Sequence, residues 1–138
     1  MMTAGEELPS NVCAAIEDCG YTSVWDEFEE QLKRKFRLPS FPLLNIASYI
    51  CDKQGGYDFK EASAQKQVAR CDIPMMFIHG DADDFVPFEM LDKVYESASC
   101  EKQKLVIEGA GHAMSSSVAP ELYWSEVEKF LDRHMNGQ

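Results

Sequence analysis

Apolar residues along the chain fall into two kinds of run, short unbroken ones and longer ones at helical spacing, and their alternation predicts the architecture. The run Met75-Met76-Phe77-Ile78-His79 stops abruptly at Gly80 and is followed by three acids, Asp81, Asp83 and Asp84. An unbroken apolar stretch of that length reads as a strand covered on both faces, here delivering carboxylates to a loop. A second unit of the same kind covers 104–107 and ends in Glu108-Gly109-Ala110-Gly111-His112. A third, 11–18, carries Val12, Cys13, Ala14, Ala15 and Ile16 and ends in Glu17 and Asp18.

Between these runs the period changes to that of helices. Ser23 with Asp26 three residues on matches a capping box, and Trp25, Phe28, Leu32 and Phe36 share one face over 24–36. Leu43, Leu44, Ile46, Ala47, Tyr49 and Ile50 give a second helix at 42–53, stopped by Gly55. A short helix is expected within 57–70, and others at 87–98 and 120–135. Residues 1–8 start without a cap and read as a helix cut in its middle. The alternation predicts an α/β fold, a three-stranded parallel sheet with flanking helices. A minimal parallel crossover needs only about 12 residues, so the stretch 21–70 reads as a helical cap inserted into a single domain, 1–138.

Composition narrows the function classes. Thirteen Lys and Arg against twenty-four Asp and Glu give a net charge of −11, which disfavours nucleic acid and anionic lipid as partners. Five cysteines lack the spacing of a zinc site or a disulfide framework and read as reduced thiols, which leaves location open with the cytoplasm favoured. No apolar run approaches the ~20 residues of a membrane span, and no signal peptide is evident.

The candidate chemistry lies at the carboxyl ends of the strands, which share one edge of a parallel sheet. His134, in the last turn of a helix, suits the macrodipole, and His79 suits a local hydrogen bond that shapes its turn. His112 has no packing reason to sit in a glycine-rich loop, and a carboxylate bonded to one imidazole nitrogen would fix its tautomer for proton transfer. The acids lack the glycine and distal Glu of a calcium loop, so no metal site is expected.

The segments His79-Gly80-Asp81-Ala82-Asp83-Asp84-Phe85-Val86-Pro87 and Glu108-Gly109-Ala110-Gly111-His112, whose Asp83 and His112 stand 29 residues apart, resemble the acid and histidine motifs of α/β-hydrolases of the serine esterase, thioesterase and prolyl-peptidase-like kind. The resemblance covers essentially the whole chain and implies the carboxy-terminal part of that fold, with strands six, seven and eight. It implies Asp83 as triad acid, ahead of Asp18 after strand six, and His112 as general base, with no cofactor. The departure is the nucleophile: no serine stands in a Gly-x-Ser-x-Gly elbow, so the nucleophile would precede Met1 and this stretch alone would be inactive. The substrate of the parent would be a small acyl ester, thioester or amide. Trp25, Phe28 and Phe36 of the cap, with Val86, are candidates for an apolar acyl pocket. The strand 11–18, lacking the Lys or Pro that protect natural edges, would be left open and favour a homo-oligomer. The alternative is a non-catalytic α/β binding module whose acids and histidine are structural.

Overall fold

The computed structural model describes residues 1–135. It contains one sheet of three parallel strands in the order β1 (Ala15–Asp18), β2 (Met75–Gly80) and β3 (Lys102–Ile107). Between β1 and β2 come α1 (Val24–Gln31), a π-helical turn Leu32–Phe36, α2 (Leu43–Gly55) and α3 (Ala64–Val68). After β2 come α4 (Glu89–Ser97), β3, the short α5 (Ser115–Val118) and α6 (Pro120–Met135).

β2 is central, and all six of its residues are buried. Its side chains alternate between two cores, as the period of a strand requires. Met75 and Phe77 pack with Val68, Leu91 and Val94 of α3 and α4, while Met76 and Ile78 pack with Ile107, Val127 and Phe130 beneath α6. Burying side chains of this size stabilises by roughly 1.5–3 kcal/mol each, so β2 anchors both layers and fixes the height at which its loop emerges.

Several element boundaries differ from the pattern-based expectation: α1 gives way to the π-helical turn after Gln31, α2 runs through Gly55 and is capped by Gly56, and α5 is additional. Residues 1–8 form turns rather than a helix, with Ala4 N–H bonded to Met1 C=O and Glu6 N–H to Thr3 C=O. The chain presses so closely on α3 at Gly5 that a Cβ there would collide with the Gln67 carbonyl. β1 starts at Ala15, because Val12 N–H is engaged in a turn with Pro9 C=O and the ladder begins where Ala15 N–H reaches Pro74 C=O. β3 starts at Lys102, opposite Met75, although Lys102 and Gln103 are polar. It pairs on one side only, and an edge strand with a solvated flank accepts such residues.

The helical segment between β1 and β2 is tied together locally. Ser23 Oγ caps α1 by accepting from Asp26 N–H at 3.0 Å, and the Asp26 carboxylate accepts from Thr22 Oγ1 at 2.6 Å instead of completing the capping box. Phe28 meets Phe59 edge to face at 5.0 Å, and Ser48 Oγ accepts from Phe59 N–H at 3.0 Å. At Arg37 the backbone turns left-handed, φ 55°, and ends the α1 run.

Candidate active site

The loop after β2 is wound around one carboxylate. Asp83 Oδ1 accepts from the backbone N–H groups of Phe85 and Val86, at 2.8 and 2.9 Å, closing an Asx-type turn. Its Oδ2 faces His112 Nδ1 at 2.9 Å and His79 Nε2 at 3.3 Å. His79 is fully buried, and its Nε2 also lies 3.0 Å from the Val86 carbonyl. That is the local bond its sequence context suggests, and it seats the far side of the turn.

The loop after β3 brings the histidine. Gly109 takes φ 73°, Ala113 takes φ 56°, and Ala82 N–H bonds Ala110 C=O at 3.1 Å, so the two loops are joined through their backbones. Asp81 Oδ1 accepts from Gly109 N–H at 2.6 Å, a second tie between them. The His112 side chain is 36% exposed, and among the described residues nothing bonds its Nε2. Phe85 lies against the imidazole, centroids 4.8 Å apart.

Burial alone would raise the Asp83 carboxyl, but the bond to His112 and the two backbone N–H donors outweigh it and hold the group below its ordinary value of 3.8. A carboxylate held ionised against Nδ1 keeps that nitrogen protonated, which leaves Nε2 as the basic nitrogen.

Asp18, the other acid at this sheet edge, is engaged elsewhere, accepting from Cys19 Sγ at 3.1 Å and from Ser115 Oγ at 3.3 Å. Cys19, which sequence reasoning did not single out, sits beside the pair in a left-handed conformation, φ 62°. Its Sγ accepts from Ala113 N–H at 3.1 Å, an interaction spanning 94 residues of chain and so without a local signature. Cys19 Sγ, an Asp83 oxygen and a His112 nitrogen lie within 4.8 Å of one another, the one such group among the described residues that could surround a metal ion. Burial pushes the Cys19 thiol up to about 12, and Asp83 already spends an oxygen on His112, so the donor set fits a neutral thiol beside a hydrogen-bonded pair better than a cation.

An apolar cavity of about 490 Å³ adjoins this edge, lined by Phe28, Leu32, Phe36, Leu43, Leu44 and Phe85 among others. Phe85 is shared between the cavity wall and the His112 ring. Of the pocket candidates, Phe28 and Phe36 line it. Trp25 does not, its ring lying instead under Lys60 Nζ at 4.2 Å. Val86 does not line it either, being buried and bonded through its backbone to Asp83 and His79. Phe85 carried no pattern of its own, being one apolar residue within an acidic turn.

No family model matches the chain. An uncharacterised protein of Bacillus subtilis, YqkD, is 30% identical over 132 residues, which is 96% of this chain and 43% of the relative. The chain thus spans less than half the length of that curated relative. Among solved structures, an esterase of Pyrococcus furiosus superposes with a TM-score of 0.65 at 20% identity, covering 97% of this chain and 49% of the esterase. The acylaminoacyl peptidase of Pyrococcus horikoshii gives 0.68 at 13% identity, covering 96% of this chain and 21% of the peptidase. Three parallel strands, the flanking helices and these coverages together identify the chain's architecture as the carboxy-terminal part of the α/β-hydrolase fold.

Proposed function

We propose that these residues supply the acid and the base of a serine-hydrolase triad that cleaves a carboxylic ester-type acyl bond in a longer protein. The observation that carries this is the 2.9 Å contact between Asp83 Oδ2 and His112 Nδ1, with Asp83 fixed by two backbone donors and His112 Nε2 unpartnered. His112 Nε2 takes the proton of a serine hydroxyl as its oxygen attacks the acyl carbon, then returns it to the leaving alcohol, thiol or amine as the acyl bond breaks. Water repeats the cycle on the acyl-enzyme and releases the acid. Asp83 holds the ring and stabilises the imidazolium throughout. The likeness in fold to an esterase and a peptidase supports a hydrolase parent.

Ser10, Ser23, Ser40 and Ser115 to Ser117 lack the glycine-flanked elbow of such nucleophiles. The serine is therefore assigned to chain outside these residues. The test is labelling by a fluorophosphonate probe, with hydrolysis of p-nitrophenyl acyl esters followed in parallel. The longer protein reacts with both, and residues 1–138 alone with neither. Asp83→Asn in the longer protein lowers turnover by roughly 10⁴-fold with the fold intact. Labelling of a serine within 1–138 would move the nucleophile, undiminished turnover in Asp83→Asn would transfer the acid's role to another residue, and a longer protein that neither labels nor hydrolyses would leave the binding-module reading standing.

A further inference from the structure

His79 stands one residue before the end of β2, and its side chain is fully buried. Its surroundings are therefore made by this chain's own residues. The two ring nitrogens meet different neighbours. Nε2 lies 3.0 Å from the Val86 carbonyl and 3.3 Å from Asp83 Oδ2. A carbonyl oxygen only accepts, so Nε2 carries the proton and Nδ1 is the bare nitrogen of the neutral ring. That Nδ1 is buried with no hydrogen-bond partner among the described residues.

Such an arrangement costs the fold, because a buried acceptor without a donor forfeits its hydration. Phenylalanine would fill a comparable volume, edge-on to Phe88 as the imidazole is, and bury no bare nitrogen. What the imidazole adds is an N–H that reaches both the Val86 carbonyl and Asp83 Oδ2.

The second of these contacts bears on His112. Asp83 Oδ2 also stands 2.9 Å from His112 Nδ1, so one oxygen faces two imidazoles. Oδ1 is held by the N–H groups of Phe85 and Val86, which keep the carboxylate in place whatever stands at position 79. Removing His79 thus changes the charge that Oδ2 presents more than it changes where Oδ2 lies. Each N–H directed at a carboxylate takes part of its charge, and in a buried setting little water competes with it.

We propose that His79 is a positioning residue that acts through Asp83: its Nε2–H shares the charge of Oδ2, so His112 releases its proton more readily than it would beside an unshared aspartate. The role rests on the proposed triad for its bearing on hydrolysis, and on the contacts alone for its bearing on His112. The other titratable or charged groups about His112 are the same in every comparison that tests it. They are Glu27 of α1 and Cys19 after β1, both pushed up by burial, the thiol to about 12, and Lys35, whose Nζ stands 4.5 Å over the Phe85 ring that packs on the imidazole.

Long-range proton–nitrogen NMR of the histidine rings in residues 1–138 tests this without any reaction. In His79→Phe, His112 titrates higher by roughly half a pH unit, a fraction of the ~1–3 units that a whole neighbouring charge moves such a group. His79→Gln, whose amide can donate, returns most of the way to the native titration. Two results in a variant that circular dichroism shows to be folded would overturn the proposal. A downward shift would make His79 a brace without which Asp83 leaves His112, and no shift would make it a turn former only. If His79→Phe does not fold, the native chain decides. An Nε2–H signal of His79 that moves as His112 titrates upholds the proposal, and an Nδ1–H form, or a signal blind to that titration, overturns it. In the longer protein the acid limb of kcat/KM for p-nitrophenyl acyl esters moves upward in His79→Phe as the NMR titration does. A shift of His112 by NMR in a longer protein without hydrolysis upholds the role of His79 and counts against the hydrolase reading alone.

Discussion

Asp83 and Glu17 are both buried carboxylates whose surroundings push them in opposite directions, so the two titrate against each other in stability. Burial pushes Glu17 up to about 7 from its ordinary 4.5, against the opposing bond from Gly20 N–H. The unfolded chain loses that proton near 4.5 while the folded one keeps it until about 7, so stability falls as pH rises across this window. Glu17→Gln should therefore raise the melting temperature at pH 8 and leave it nearly unchanged at pH 4, read by circular dichroism. Asp83 has the reverse sign. Its folded value is depressed, so its contribution is present above 3.8 and lost as pH falls through the lower folded value. Asp83→Asn should flatten that acid limb of the stability curve, and an unchanged limb would show that the His112 and backbone contacts do not hold the carboxylate ionised. The pairing of Asp83 with His112 was legible in the sequence because each sits in a short motif on its own loop. Cys19 and Phe85 were not, since what defines them is a neighbour 94 residues away for one and an imidazole on another loop for the other.

The elements themselves were readable where period and punctuation agreed. α2 and α4 have apolar faces at helical spacing, and β2 has its unbroken run, so local preference and packing pointed the same way. The ends were less so, because Lys102 and Gln103 are in β3 by virtue of pairing with β2 and Val12 is out of β1 by virtue of a turn. Pairing is a property of two segments, and no window on one of them contains it. α1 offers a clean test of a local signal. Ser23 is buried and its Oγ accepts from Asp26 N–H in the first turn, so Ser23→Ala should cost about 1 kcal/mol in urea denaturation. Ser23→Asp, which can restore an acceptor, should recover part of it.

For the whole molecule, the sheet's two outer strands are unequal. β3 carries Lys102 and Lys104, cations of the kind that blunt an edge, whereas β1 has none. Ala15 and Cys19 donate their N–H groups towards β2, so those of Ala14, Ile16 and Asp18 point to the other side, where no strand pairs with them among the described residues. We propose that residues 1–138 by themselves self-associate through this edge. Light scattering over a dilution series should show a dimer or larger species that dissociates on dilution. Ala14→Pro, which removes one outward donor and spares the ladder to β2, should shift it towards monomer. A monomer at every concentration would mean that the edge is covered within the chain.

Gly80 ends β2 with its α-carbon so close to Ala110 that a Cβ would strike the Ala110 carbonyl, and Ala82 N–H is bonded to that same carbonyl. The spacing between Asp83 and His112 is thereby set by backbone meeting backbone, not by their side chains. For a lineage of such proteins this makes residues 80–112 a single heritable cassette. Recombination on either side of it passes Asp83 and His112 on together, whereas a breakpoint inside it must match two loops at once or lose their contact.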